Sequence, residues 1–113
     1  MGEKDPAIRV HGDVSLIDIK GDVTAQTGPP IEDAYRQVSL AGATKIVLCF
    51  DQASYINSGG IAVLITIVAE GKKKGQTVRM TGLSAHFQKI FNMVGLTRYA
   101  KIYPSEDAAL KDF

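Results

Sequence analysis

The stretch Lys45-Ile46-Val47-Leu48-Cys49-Phe50-Asp51, continued by Gln52-Ala53-Ser54-Tyr55-Ile56 and Asn57-Ser58-Gly59-Gly60-Ile61-Ala62-Val63-Leu64, decides how this chain folds. Lys45 to Phe50 is a nearly continuous apolar run of strand length, rich in β-branched residues. Such a run reads as a central strand covered on both faces. Asn57 and Ser58 are good helix caps, and Gly59-Gly60 lets another backbone come close. The corner between strand and helix would lie at the carboxyl end of a parallel strand, where such sheets usually present their sites.

The helix that follows is expected over about Gly59 to Lys74. At about 100° per residue, Ile61, Val63, Leu64, Ile65, Ile67 and Val68 cover an arc of roughly 200°, about twice what packing on a sheet requires. The excess implies either a flanking second element or an apolar strip left for a partner. Ala62, Thr66, Ala69, Glu70 and Lys73 form the remaining face, small and uncharged near its start. Lys72, Lys73 and Lys74 suit the negative end of the helix dipole, a solvated last turn, and Gly75 stops the helix.

Upstream, Ala7 to His11 and Val14 to Lys20 read as two strands turning at Gly12-Asp13. A loop, Asp22 to Gly28, leads to Pro29-Pro30, which is tolerated in a first helical turn. Ile31, Ala34, Tyr35 and Val38 then share a helix face, with Gly42 as a left-handed stop. Downstream, Thr77 to Thr81 is a strand, and Ser84 caps a helix in which Phe87, Ile90, Phe91 and Val94 follow helical spacing up to Gly95. Tyr99 to Tyr103 is a short edge strand, and Ser105-Glu106-Asp107 starts a last short helix ending near Phe113. The order β-β-α-β-α-β-α-β-α predicts a single α/β domain spanning 1–113, with 1–6 a flexible N-terminus. Its sheet is mixed, mostly parallel, with an N-terminal antiparallel hairpin, its first strand at the edge and about four helices packed on one side.

The 113 residues suit one domain, and 45% apolar content is enough for a core. Thirteen basic against twelve acidic side chains give a charge near +1 and no electrostatic reason to expect nucleic acid. No apolar stretch reaches the roughly 20 residues that span a bilayer, and the N-terminus lacks an apolar signal core. The myristoylation pattern fails at Pro6. Cys49, the one cysteine, allows neither an internal disulfide nor a cysteine metal cluster and is expected to be a buried, inert thiol. A cytoplasmic location, with no membrane partner, is the expectation.

Catalysis needs converging titratable groups, and the chain is poor in them. His11 falls in a hairpin and His86 in a first helical turn, and both read as surface residues. No histidine pair has metal spacing, and no dinucleotide or Walker pattern occurs. Ser58 fails the nucleophile-elbow pattern because Ile56 stands where its first glycine belongs. No catalytic residue, cofactor or metal is therefore expected, and the chain is not read as an enzyme.

Ile46 to Asp51 and Tyr55-Ile56-Asn57-Ser58-Gly59-Gly60-Ile61-Ala62-Val63-Leu64 resemble the signature of STAS domains, the family of anti-sigma factor antagonists and of related domains in sulfate transporters and stressosome scaffolds. Phe87-Gln88-Lys89-Ile90-Phe91-Asn92-Met93-Val94-Gly95-Leu96 resembles the family's third helix and its Gly-Leu, and the element order matches over nearly the whole chain. The resemblance puts the family's phosphorylated serine on Ser58. The family's preceding Asp is Asn57 here, its following Ser or Thr is Gly59, and its Gly-Leu is Gly60-Ile61. Loss of the acid removes a charge beside the acceptor hydroxyl and changes what a kinase would meet.

The resemblance implies a regulatory domain that docks its corner and second helix on a serine kinase or anti-sigma-like regulator until phosphorylation releases it. Asn57, Ser58, Gly59, Gly60, Ala62 and Thr66 are the partner-binding residues so implied. Two other readings stay open: a scaffold subunit in a large STAS assembly, and a small-molecule or anion-binding domain using the N-terminus of the second helix.

Overall fold

The computed structural model describes residues 5–113; most of the N-terminus expected to be flexible, residues 1–4, lies outside them. Strands β1 (Ala7–His11) and β2 (Val14–Asp18) form an antiparallel hairpin in which Ile8 faces Ile17. Its turn uses Gly12, whose positive φ of 62° is open to glycine at little cost. Helix α1 (Gly28–Leu40) carries prolines in its first turn and buries Ile31, Ala34, Tyr35 and Val38, the face expected. Strand β3 (Lys45–Cys49), helix α2 (Ser58–Lys73), strand β4 (Thr77–Thr81), helix α3 (Ala85–Met93), strand β5 (Ala100–Tyr103) and helix α4 (Glu106–Leu110) follow. The sheet order is β1-β2-β3-β4-β5, antiparallel only at the first pair, with β3 in the centre and β1 and β5 at the edges.

Alternate residues of β3 serve opposite faces. Ile46 and Leu48 join Ile17 and Met80 under α1, α2 and α3, where Leu64, Ile67, Val68, Phe87 and Phe91 close a large apolar core. Phe50 meets Phe91 edge-on there, ring centroids 6.2 Å apart. Val47 points the other way and joins Val14, Leu16 and Ala109 in a second, smaller cluster, with Leu110, Tyr103 and Phe113 around it.

This second cluster corrects the expectation that all helices share one side. Three do; α4 covers the opposite face. The physical reason is that β2 and β3 bury side chains of both faces, with Leu16, Ile17, Val47 and Leu48 all essentially inaccessible, so the second face needs its own cover.

Two arginines fasten that cover. Arg79, buried on β4, donates through Nη1 to the carbonyls of Ala109 (3.1 Å) and Lys111 (2.6 Å) and through Nη2 to that of Asp112 (2.9 Å). Its guanidinium lies 4.8 Å from the Tyr103 ring centre and 3.9 Å from that of Phe113. On the other flank, Arg9 of β1 bridges Asp18 and Glu106, each at 2.6 Å.

Candidate functional site

The corner after β3 is tied to the loop after β2. Val23 N donates to Tyr55 O (2.9 Å), Asn57 N donates to Val23 O (3.1 Å), and Tyr55 N donates to the Asp22 carboxylate (3.0 Å). Val23 and Ile56, both buried, form an isolated parallel bridge. Asn57 then stands extended (φ −92°, ψ −179°), and its side-chain oxygen accepts from Gly60 N at 2.9 Å. Asn57 is thus the N-cap of α2, and Ser58 is its first helical residue.

The glycines have an internal reason. A Cβ on Gly60 would lie 2.1 Å from the carbonyl oxygen of Val23, and one on Gly59 would lie 3.0 Å from Ala25 Cβ. The backbone that comes close is therefore the chain's own loop after β2. Gly60 is buried, so it shapes the corner from within, while Asn57 and Gly59 are half-buried. That loop is itself braced: Thr27 Oγ1 donates to Asp22 O (2.9 Å) and accepts from Thr24 N (2.8 Å).

Ser58 is exposed, and among the described residues its side chain makes no hydrogen bond. At about 100° per residue, Ser58, Ala62, Ile65 and Thr66 share one helix face. All four are exposed, and Thr66 turns its hydroxyl back onto Ala62 O (3.1 Å). The wide apolar arc of α2 is thereby resolved. Val63 packs on α1, where a Cβ on Gly28 would come within 2.6 Å of Val63 Cγ2, while Ile65 stays 40% exposed.

Two residues of this surface escaped the sequence reading. Ile65 belongs to the wide apolar arc whose excess implies a flanking element or a strip left for a partner, and the spacing does not single it out as the residue left outward. Tyr55 is 60% exposed at the corner, its ring edge-on to Phe87 at 6.0 Å. Nothing in the spacing marks it as exposed.

His11 and His86 are exposed, and the His86 ring meets Phe87 at 4.9 Å. Cys49 is half-buried, and burial, its largest cause, pushes the thiol up to about 12. Its sulfur lies with the carboxylates of Asp18 and Glu106 in a group of ligand-type atoms within 4.8 Å of one another. The Arg9 guanidinium stands among them, with Nη2 at 2.8 Å from Asp18, 2.6 Å from Glu106 and 3.8 Å from Sγ. These three groups already share one resident cation. Among the described residues, no helix is long and apolar enough to cross a membrane.

The fold as a whole has known counterparts. A crystallised Thermotoga maritima protein, provisionally described as an anti-sigma factor antagonist, superposes with a TM-score of 0.84 at 16% identity, over 95% of this chain and 92% of its own. An anti-sigma factor antagonist from Mycobacterium paratuberculosis gives 0.74 at 24% identity, over 93% and 89%. The phosphorylated form of the Bacillus cell-fate determinant SpoIIAA gives 0.64 at 15% identity, over 91% and 95%. In sequence, the anti-sigma-B factor antagonist of Bacillus subtilis (strain 168) is 24% identical over 80 residues, 71% of this chain and 72% of its own length. The STAS domain family model matches residues 5–109. The chain belongs to the STAS domain family.

Proposed function

We propose that this chain is a protein-interaction switch of the anti-sigma factor antagonist type. Its unmodified corner and the outer face of α2 dock on a serine kinase or anti-sigma-like regulator, and phosphorylation of Ser58 releases that partner. The observation that carries this reading is the state of Ser58: exposed, unbonded among the described residues, and at the head of a 16-residue helix. Asn57 caps the helix, so the serine hydroxyl is left over for chemistry with an outside group.

A phosphate here is tolerated by the fold. It brings about −1.5 to −2 charge at pH 7, and helix N-termini accept such charge through their free amides and dipole. The first turn of α2 contains no acidic side chain to repel it. A partner seated on Ser58, Ala62, Ile65 and Thr66 would instead have to desolvate that charge against a small, mainly apolar face. Release without unfolding follows. Asn57, where the family pattern that the chain resembles has Asp, leaves the acceptor without a neighbouring negative charge, so the kinase that reads this corner must tolerate an amide there.

The experiment is capture from extract of the native cell with wild type, Ser58→Ala and Ser58→Asp as baits, followed by calorimetry with the captured kinase or regulator. Wild type and Ser58→Ala should bind alike, and Ser58→Asp should bind at least about tenfold more weakly, the consequence of burying an uncompensated charge. Equal affinity of all three baits for that partner would remove the reading.

A further inference from the structure

A second surface lies along the β5 edge. Among the described residues strand β5 pairs only with β4, which leaves its outer edge open. An open cleft of about 510 Å³ follows the start of β4 and β5, with Lys72, Arg79, Arg98 and Lys101 among its lining together with Tyr99 and Tyr103. No carboxylate lines it. A second groove of about 480 Å³ adjoins it along the strand, sharing Thr97, Lys101 and Tyr103 and adding Gln88, Asn92 and Ile102.

The cations of this cleft stand outside the ion pairs of the described residues. The ion pairs among the described residues join Arg9 to Asp18 and Glu106, Arg36 to Asp33, and Lys45 to Asp13. None involves Lys72, Arg98 or Lys101. Arg79 spends its terminal nitrogens on the carbonyls after α4 and contributes field but few free donors. Lys72 stands 5.0 Å over the Tyr99 ring, a contact that holds an ammonium without cancelling it. Four cations line this cleft without an acid, although Arg79 and Lys101 also border the neighbouring groove, where Asp107 and Asp112 stand, so the unopposed charge rests on Lys72 and Arg98 with Lys101 at the boundary.

A lysine on an edge strand keeps that edge from pairing with a copy of itself, because like charges would meet. The same charges attract a strand of opposite sign. Side chains of an added strand alternate between the two faces, and two adjoining open grooves run along β5 to receive them. We infer that the β5 edge receives a short, extended, acidic segment of a partner protein by strand addition, its carboxylates meeting Lys101, Arg98 and Lys72. Ser58 follows β3, and β4 separates that strand from the β5 edge, so both surfaces can be occupied together.

The test titrates the ¹⁵N-labelled chain with a Glu-Val-Glu-Val-Glu-Val peptide at low salt. The expected result is saturable shifts at the amides of Thr97 to Tyr103, none at Ser58 to Ala62, and weakening as salt rises. The double variant Arg98→Glu, Lys101→Glu should lose at least about tenfold in affinity. Both side chains are exposed, so its spectrum should keep native dispersion; the milder Lys101→Gln, which should lose a smaller factor, serves if it does not. Ser58→Asp should bind the peptide as wild type does, which separates this surface from the corner. No binding, shifts elsewhere, equal binding of a Lys-Val peptide or undiminished binding by the charge-reversed variant would each overturn the proposal. Tighter binding of a single-stranded oligonucleotide at the same amides would overturn it in favour of nucleic acid.

Discussion

The two faces of the sheet are held by different physics. Under α1, α2 and α3 the contact is a broad apolar mass in which Phe91, Ile17, Leu48, Leu64 and Met80 are all but inaccessible. Under α4 the apolar part is small, four buried residues, and the cover is a five-residue helix, too short to persist by its own hydrogen bonds. It stays because Arg9 and Arg79 clasp it from either side. The first face should therefore answer to changes of volume and the second to changes of charge and hydrogen bonding. The corner that bears Ser58 rests on the first face, so the surface assigned to switching sits on the stiffer half of the molecule.

The largest expected effect tests the broad face. Phe91→Ala removes a fully buried ring that meets Phe50 and should cost about 4 kcal/mol, measured by urea unfolding with an unchanged slope. Val47→Ala, its counterpart on the other face, should cost roughly 2 kcal/mol. Equal costs would erase the distinction between the faces.

Next comes the fit of the corner itself. Gly60→Ala puts a methyl 2.1 Å from the Val23 carbonyl oxygen, and both are backbone-fixed, so the loop after β2 must move. A loss of about 3 kcal/mol is expected, with partner binding impaired through displacement of Ser58. Gly59→Ala meets Ala25 at 3.0 Å and should cost about 1 kcal/mol. If the two substitutions cost the same, the close approach at Val23 is not what positions the corner.

The narrow face answers to Arg79. Arg79→Met keeps the stem and removes the guanidinium, leaving the carbonyls of Ala109, Lys111 and Asp112 without their donor. A loss of about 2 kcal/mol is expected. Amide exchange should show where it falls: Glu106 to Leu110 should open locally while α2 keeps its protection. Uniform loss of protection would mean that α4 is part of the main cooperative unit.

This contrast also explains what could be read in the sequence. The β3 run, the caps Asn57 and Ser84, and the apolar faces of α1 and α3 obey local rules and are where the chain says they are, except Val94, which follows the end of α3 and is exposed. The opposite-side position of α4 obeys none. Its one fully buried residue is Ala109, and five residues are too few for a period to declare a face. Reading Thr77 to Thr81 as a strand says nothing of Arg79, which is buried where the carbonyls of Ala109, Lys111 and Asp112, 30 to 33 residues on, meet its guanidinium. The Arg9–Glu106 bridge joins residues 97 apart. At the corner, the glycine pair announced a close backbone approach, but the sequence could not say that the approaching backbone was Val23.

The smallest effect is the pH response of the α4 clasp. The hydrogen bond from the Arg9 guanidinium, the leading cause, holds the Glu106 carboxyl below the usual carboxylate range. A carboxyl lowered on folding stabilises the native state above its unfolded value, about 4.3, and that contribution fades as pH falls through the lowered folded value. The Glu106 side chain is 41% exposed, so solvent screening keeps the contribution under about 1 kcal/mol. Asp13 is lowered in the same direction by Lys45, but it sits at the hairpin turn and reports on β1 and β2 alone. Acidification from about pH 5 towards pH 3 should therefore loosen the amides of α4 before those of α2, and Glu106→Gln should flatten that early response while leaving the later one. Were α4 and α2 to lose protection together in wild type, charge would not be what distinguishes the two faces, and the clasp would reduce to the buried hydrogen bonds of Arg79.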